Sequence, residues 1–209
     1  MLFRIQLLVV SCVLSLLPAA FAGAIPPNVK CSGCQGIVSK DAKYFCGDER
    51  LGPAELPKTV PISTMLVNYD RLGGLCAKEF LQQYINATTG HYTYPPGPGF
   101  QFSTTGQPID GNQTLVVGSM LDRFGAESGR YFSPASTPFG QRALPPSSLN
   151  NPKEGSPVAD YHVYRVERSF VVLAGEIAPW FGQSGQGTQY FSPTKNAKAL
   201  VDEGFLSRV

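Results

Sequence analysis

Charge is scarce in this sequence: Asp, Glu, Lys and Arg make up 15% of 209 residues, the formal net charge is +2, and there is no lysine-rich run. A protein that neutralises a nucleic-acid backbone needs a clustered basic surface, so that class is set aside. Long apolar runs are missing too. After the first segment nothing approaches the ~20 consecutive apolar residues that cross a bilayer, so no membrane span is expected. Cysteine stops at Cys76, and Cys31-Ser-Gly-Cys34 has no second half of a zinc ribbon to pair with. A structural staple therefore fits these residues better than a zinc or redox centre. Internal repeats and low-complexity tracts are also absent, which excludes solenoids and arrays.

What is present begins with Arg4, an apolar run from Leu7 to Leu17, Pro18 as a breaker and Ala20-Phe21-Ala22 as a small-x-small site. This reads as a secretory signal peptide over residues 1–22. The run is too short for an uncleaved anchor, and Asp202, Glu203 and Arg208 occupy the C-terminal stretch where a lipid-anchor signal needs an apolar tail. A secreted protein is expected. About 185 residues then remain, enough for one domain with an appendage or two small ones. Cys31, Cys34, Cys46 and Cys76 form an even set for two disulfides in an oxidising compartment, and the three possible pairings stay open. Asn86-Ala-Thr88 and Asn112-Gln-Thr114 are N-glycosylation acceptors, as expected for surface positions on an exported glycoprotein.

The 22 glycines and 18 prolines fall mostly between periodic segments and predict a loop-rich, strand-containing fold. Leu72, Cys76, Phe80 and Tyr84 recur every four residues, predicting a helix that runs to about Ile85. Tyr94 to Gly99, with Pro95, Pro96, Gly97 and Pro98, reads as a linker or crossing loop. The domain boundary is placed there, between a cysteine-containing N-terminal module over 23–100 and a second domain over 101–209. Thr114 to Met120 predicts a buried strand leading into Asp122-Arg123-Phe124-Gly125. Tyr161 to Val166 alternates and predicts a strand; Phe170 to Ala174 predicts a second, fully buried, with a hairpin between them. Ser192-Pro193 predicts the start of a helix carrying Ala197, Leu200 and Val201 that ends at Gly204. The fold class is α+β, with a mainly antiparallel twisted β-sheet core, few helices and a disulfide-stapled N-terminal module.

The chemistry concentrates in three islands: DRFG from Asp122, YFSPASTPFGQRALPP from Tyr131, and APWFGQSGQGTQYF from Ala178. Guanidinium groups pair bidentately with pyrophosphate oxygens, glycines admit backbone close to a ligand, and aromatic faces stack on planar bases. An anionic nucleotide is the ligand such a set suits. In order and spacing the islands resemble the tuberculosis necrotizing toxin domain family, and within it the secreted fungal NAD glycohydrolases displayed on spore surfaces, over roughly residues 115 to 206.

The resemblance implies an enzyme that cleaves the nicotinamide–ribose bond of NAD, with NADP as an alternative substrate, leaving nicotinamide and ADP-ribose. It implies Arg142, in the intact Thr137-Pro138-Phe139-Gly140-Gln141-Arg142-Ala143-Leu144-Pro145-Pro146, as a required arginine and the first choice for a pyrophosphate clamp near the reacting ribose, and Gln189 as a required glutamine at the end of the glycine-rich island. Replacing either by alanine is expected to abolish turnover and leave folding intact. Arg123 is a second phosphate candidate, although adjacent Asp122 offers a basic group a partner that only shapes the turn. Phe132, Phe139, Thr188 and His162 complete the expected substrate contacts. Trp180 reads as core. Related ADP-ribosyltransferases use a glutamate where this chain has Gln189, and Glu167 and Glu176 match no paired-carboxylate motif, which favours water as the acceptor. Some fungal relatives carry calcium near the C-terminus. Only Asp202 and Glu203 stand there in this chain, without an EF-hand-like loop, so no metal and no cofactor is expected. A homodimer, displayed at the cell surface, is the expected assembly. The competing readings are an ADP-ribosyltransferase and a non-catalytic secreted surface protein that keeps a nucleotide pocket.

Overall fold

The computed structural model describes residues 33–151 and 159–209. The expected signal peptide and Cys31 lie outside the described residues. Seven strands form one sheet in the order β1-β5-β6-β3-β2-β4-β7, with β1 Asp110–Leu115, β2 Met120–Phe124, β3 Tyr131–Pro134, β4 Tyr161–Val166, β5 Phe170–Glu176, β6 Thr188–Phe191 and β7 Leu206–Arg208. Every neighbouring pair is antiparallel. The helices are short: α1 Ile62–Met65, α2 Ala77–Tyr84 and α3 Ala197–Asp202. The expected α+β class is what the chain folds into.

One face of the sheet carries Leu115, Leu121, Phe132, Tyr164, Val166 and Val172, buried beneath Ala197 and Leu200 of α3. Ile62, Met65 and Leu66 at α1 pack with Phe124, Phe139 and Leu149 in a second cluster. A third joins Leu51, Leu72 and the Ala77, Phe80 and Tyr84 stripe of α2 to Phe181 of the third island. Burial of these side chains is the main favourable term holding the layers together, at roughly 1.5–3 kcal/mol for a large apolar side chain. Residues from 31 onward form one compact unit.

Cys34 and Cys46 form a disulfide, and Cys76 is disulfide-bonded as well. The Cys34–Cys46 bridge belongs to the loop layer that also holds the turns at Phe45 and Leu51. That layer is tied to later chain by Arg71 Nη1, which donates to the Leu51 carbonyl at 2.9 Å, and by Asn150 Nδ2, which donates to the Glu49 carbonyl at 2.8 Å. Among the described residues no helix is long and apolar enough to cross a membrane.

Four local expectations are corrected. The helix around Phe80 begins only at Ala77, because Gly73 and Gly74 both adopt positive φ and stop it; Cys76 is its N-cap, with its N–H donated to Glu79 Oε2 at 3.1 Å. The Thr114 to Met120 run is not one strand. It ends β1, turns through exposed Val116 and Val117, and starts β2; Gly118, at φ 88, donates its N–H to the Val166 carbonyl at 2.8 Å. The strands β4 and β5 do not pair as a hairpin, since β4 lies between β2 and β7 while β5 lies between β1 and β6, and of Phe170 to Ala174 only Val172 is buried. Finally α3 is capped by Asn196, whose Oδ1 accepts the Ala199 N–H at 2.8 Å, four positions after Ser192.

Candidate active site

The sheet opens where β2 and β3 part. Their ladder consists of Leu121 opposite Pro134 and Asp122 opposite Ser133. Beyond it β3 turns to β6, placing Tyr131 opposite Phe191 and Phe132 opposite Tyr190. The gap is closed by a side chain. Arg123 donates from Nε to the Gly125 carbonyl at 3.1 Å, from Nη2 to the Ala126 carbonyl at 2.7 Å and from Nη1 to the Tyr131 carbonyl at 2.9 Å. A guanidinium so stands in for missing rungs between strands.

In this opening lies a cavity of about 460 Å³, within the range of small-molecule sites. Arg123, Arg142 and Gln189 line it together with Asp122, Phe132 and Ser133, and Tyr131 and Leu144 contribute walls. The Tyr94 to Gly99 segment forms another side. All three islands therefore converge on one space.

Arg142 reaches it through local proline and glycine chemistry. Pro138 precedes a single 3-10 turn, Phe139–Arg142; Ala143 is left-handed at φ 46, and Pro145 and Pro146 start the next turn, Pro146–Leu149. The glycine-rich island braces this turn. Gly187 donates its N–H to the Gln141 carbonyl at 3.0 Å, and a Cβ at residue 187 would stand 2.7 Å from that oxygen. That glycine admits the first arginine-bearing turn, a role different from the ligand approach expected of it.

The Arg142 side chain is 3% exposed and Asp122 is fully buried. Nη1 and Nη2 of Arg142 donate to Oδ1 and Oδ2 of Asp122 at 2.6 and 2.8 Å, and Nε donates to the Thr137 carbonyl at 2.9 Å. Asp122 also accepts the Ser136 N–H and the Tyr161 hydroxyl, each at 2.8 Å on Oδ2. Burial first, then the Asp122 charge, push the Tyr161 hydroxyl far above its ordinary titration range. Arg142 is thus a cation already matched by an anion. Asp122 is engaged on both oxygens, Oδ1 by Arg142 and Oδ2 by Arg142, Ser136 and Tyr161. Arg123 differs: its bonds go to carbonyls, and burial lowers its pKa while leaving a guanidinium charged. It supplies the cavity with a positive charge that no carboxylate hydrogen bond holds, although Asp160 and Glu127 act on it from nearby.

Gln189 lies on β6 opposite Gly175 of β5. Its Nε2 donates to the Pro98 carbonyl at 2.7 Å. A carbonyl needs a donor, so this contact fixes which end of the amide faces Pro98 and leaves Oε1 as the acceptor end. Phe132, 2% exposed, joins core and cavity and meets Tyr164 edge-on at 5.8 Å.

Three expected contacts do not line the cavity. Phe139 is fully buried, edge-on to Tyr69 at 4.9 Å and to Phe124 at 5.1 Å, so it builds the turn's core. Thr188 sits on β6 opposite Glu176. His162, opposite Arg123 on β4, bonds Asp160 Oδ1 through Nε2 at 2.7 Å and stacks on Tyr164. Trp180 is partly buried against the third cluster, its indole N–H donated to the Thr93 carbonyl at 2.7 Å. Asn86 and Asn112 are both exposed. Sequence reasoning missed Tyr94, Pro98 and Gly99 as site residues. Their signal was a proline-glycine run too rigid for a free linker. Among the described residues no group of three or more His, Cys, Asp or Glu is placed to hold a metal.

Comparison with known proteins adds the following. The family model of the tuberculosis necrotizing toxin matches residues 114–209. A conidial surface nicotinamide adenine dinucleotide glycohydrolase of Aspergillus fumigatus is 47% identical over 178 residues, covering 84% of this chain and 75% of that protein. The solved structure of tuberculosis necrotizing toxin complexed with its immunity factor matches at TM-score 0.48 and 20% identity, over 64% of this chain and 71% of that one.

Proposed function

This chain belongs to the tuberculosis necrotizing toxin family, and from that premise we propose that it is a NAD(+) glycohydrolase, releasing nicotinamide and ADP-ribose. The observation that carries the reading is the single cavity lined by Arg123, Arg142, Gln189 and Phe132, in a chain 47% identical to a protein named for this activity.

The chemistry asks little of an acid. Water attacks the anomeric carbon of the nicotinamide ribose; the carbon–nitrogen bond breaks with its electron pair passing to the pyridinium nitrogen, and nicotinamide leaves neutral. The proton of the attacking water is lost to solvent. What the protein supplies is orientation and electrostatic support for an oxocarbenium-like transition state. In this proposal Arg123 attracts the pyrophosphate, and Phe132 walls the nicotinamide ribose. Arg142, held by Asp122, presents a fixed edge of the site. Gln189 accepts through Oε1 from a ribose hydroxyl or from the attacking water. Water is favoured over a protein acceptor because, among the described residues, the carboxylate that lines the cavity is Asp122, and it is paired with Arg142.

No cofactor is needed, since NAD is consumed; NADP is an alternative substrate. Export, glycosylation at Asn86 and Asn112, and display at a cell surface complete the proposal. They are supported by the Cys34–Cys46 disulfide and the exposure of both asparagines. A homodimer is proposed as the assembly, and native light scattering that returns a monomer mass removes it.

The central test incubates the purified protein with NAD and separates nicotinamide and ADP-ribose by chromatography, with Gln189→Ala in parallel. Release that disappears in the variant is expected. A folded wild type that frees no nicotinamide, or that transfers labelled ADP-ribose onto protein instead, overturns the reading.

A further inference from the structure

The Tyr94 to Gly99 strap is fastened at its ends and at one point between. Trp180 Nε1 donates to the Thr93 carbonyl at 2.7 Å, the Ala178 N–H donates to the Gly99 carbonyl at 3.0 Å, and the Gln101 N–H donates to the Glu176 carbonyl at 2.9 Å. All three fastenings come from the end of β5 and the segment that follows it. Between them Pro95, Pro96 and Pro98 have no N–H to offer. Among the described residues, the side-chain donor to a carbonyl of this stretch is the Gln189 amide, at 2.7 Å from the Pro98 oxygen. Gly99 shapes the strap through its backbone: its φ is +87°, which strains any other residue, while a Cβ there would make only ordinary contacts, 3.6 Å to Pro95 Cγ and 3.8 Å to Gln189 Nε2.

We propose that the strap is the positioning element for Gln189: the Pro98 carbonyl takes the amide N–H, turns Oε1 toward the cavity, and makes position 189 accept an amide and reject a carboxylate. This rests on Gln189 acting in the reaction proposed above. An ionised glutamate has no hydrogen to give Pro98 and sets two like partial charges against each other, so it must swing away and lose the strap. A protonated glutamate regains a donor. The strap thus explains, in chemical terms, why this site uses glutamine where a transferase-type site uses glutamate. Gly99 is a second positioning residue, through the backbone geometry that only glycine adopts without strain.

The groups facing position 189 bear on the test. The strap contributes Tyr94; the cavity contributes Arg123, the Arg142–Asp122 pair and Tyr131; on β5 the neighbour is Gly175, followed by Glu176. With Asp122 paired to Arg142, the Arg123 guanidinium, offset from nearby by Asp160 and Glu127, attracts an ionised glutamate off Pro98.

The experiment compares wild type with Gln189→Glu and Gly99→Ala. It follows kcat and KM for NAD from roughly pH 8 down to roughly pH 4, a span that reaches the ordinary glutamate value of about 4.3, which burial raises and the Arg123 charge lowers. Hydrogen exchange of peptides spanning residues 93–101 is measured alongside. At the alkaline end the glutamate variant is expected to lose about 100-fold in kcat, the scale of a misplaced group, with KM changing much less. Its kcat relative to wild type climbs as pH falls. Exchange across the strap is faster in the variant at the alkaline end and returns toward wild type on acidification. Gly99→Ala gives the same kcat-dominated loss without the pH recovery. A variant-to-wild-type ratio that stays flat with pH, or strap exchange unaltered by Gln189→Glu, overturns the proposal. The exchange arm reads the contact whether or not the wild type hydrolyses NAD, so a failure of the proposed activity is told apart from a failure of the strap.

Discussion

Replacing Arg142 by alanine strands a buried carboxylate. Asp122 is fully buried and takes two charge-assisted hydrogen bonds from Arg142, leaving after the change only those from the Ser136 N–H and the Tyr161 hydroxyl. Breaking a buried pair from one side costs about 3–5 kcal/mol, far more than the pair's net contribution relative to an apolar replacement. The guanidinium also lies over the Phe124 ring at 5.3 Å, so packing is lost with it. For a unit of this size each kcal/mol lowers Tm by about 2–4 °C, giving an expected fall of about 6–20 °C. The assay is thermal unfolding by calorimetry, repeated for Asp122→Asn and for the double variant Asp122→Asn/Arg142→Met. The double variant should be more stable than Arg142→Ala, because no buried charge is left unmatched. An Arg142→Ala protein that melts within about 2 °C of wild type would refute the reasoning. Sequence alone leads one to expect that this variant loses turnover with folding intact; the buried pair leads to the expectation that its lost activity reports stability as well as contact with substrate.

Three further outcomes are expected. Arg123→Met removes both a cation that no carboxylate hydrogen bond holds and three bonds that hold the turn after β2, so KM for NAD should rise by about 10- to 100-fold and become less sensitive to salt; an unchanged KM counts against Arg123 as the anion site. Hydrogen bonds from Arg208 first, and then from Tyr164, hold the Glu127 carboxyl at about 2, down from an ordinary 4.5. A carboxyl lowered on folding contributes stability that is present above its unfolded value and lost as pH falls through its folded value. Thermal unfolding between those two pH values should therefore show stability rising with pH in wild type and a flatter profile in Arg208→Ala. Changing both Cys34 and Cys46 to serine opens a short loop in the unfolded chain, since they are 12 residues apart, and should lower stability by about 2–3 kcal/mol in urea titration.

The parts of this molecule that were legible in the sequence are those decided by nearby residues. Phe80 and Tyr84 share a helix face because their spacing demands it, and Tyr161 to Val166 forms β4 because it alternates. Partners distant in the chain were less accessible. Nothing local in Phe170 to Ala174 says that β1 and β6, rather than β4, will lie beside it. The valines at 116 and 117 look like strand interior, yet Gly118 bends them out to solvent. The islands themselves announced a nucleotide site, and Arg123, Arg142, Gln189 and Phe132 do meet in one cavity. The partner of Arg142 stands in the preceding island, in Asp122, to which the sequence assigned a basic partner without saying which one. Phe139 is a motif residue that matters by filling the core.

The strap has a bearing on how the protein can be dissected. The family model begins at residue 114, but Tyr94 to Gly99 lie before it and line the cavity, as does the segment following β5 that fastens them. A fragment cut to the recognisable family region would keep both arginines and Gln189 while losing the surface that orients the glutamine. It would also strip β5 of most of its edge partner β1, which starts at Asp110. The boundary of sequence similarity and the boundary of the working site are different places in this chain. Variation in the less recognisable N-terminal layer is therefore a route by which members of such a family can retune one shared reaction without altering the residues that perform it.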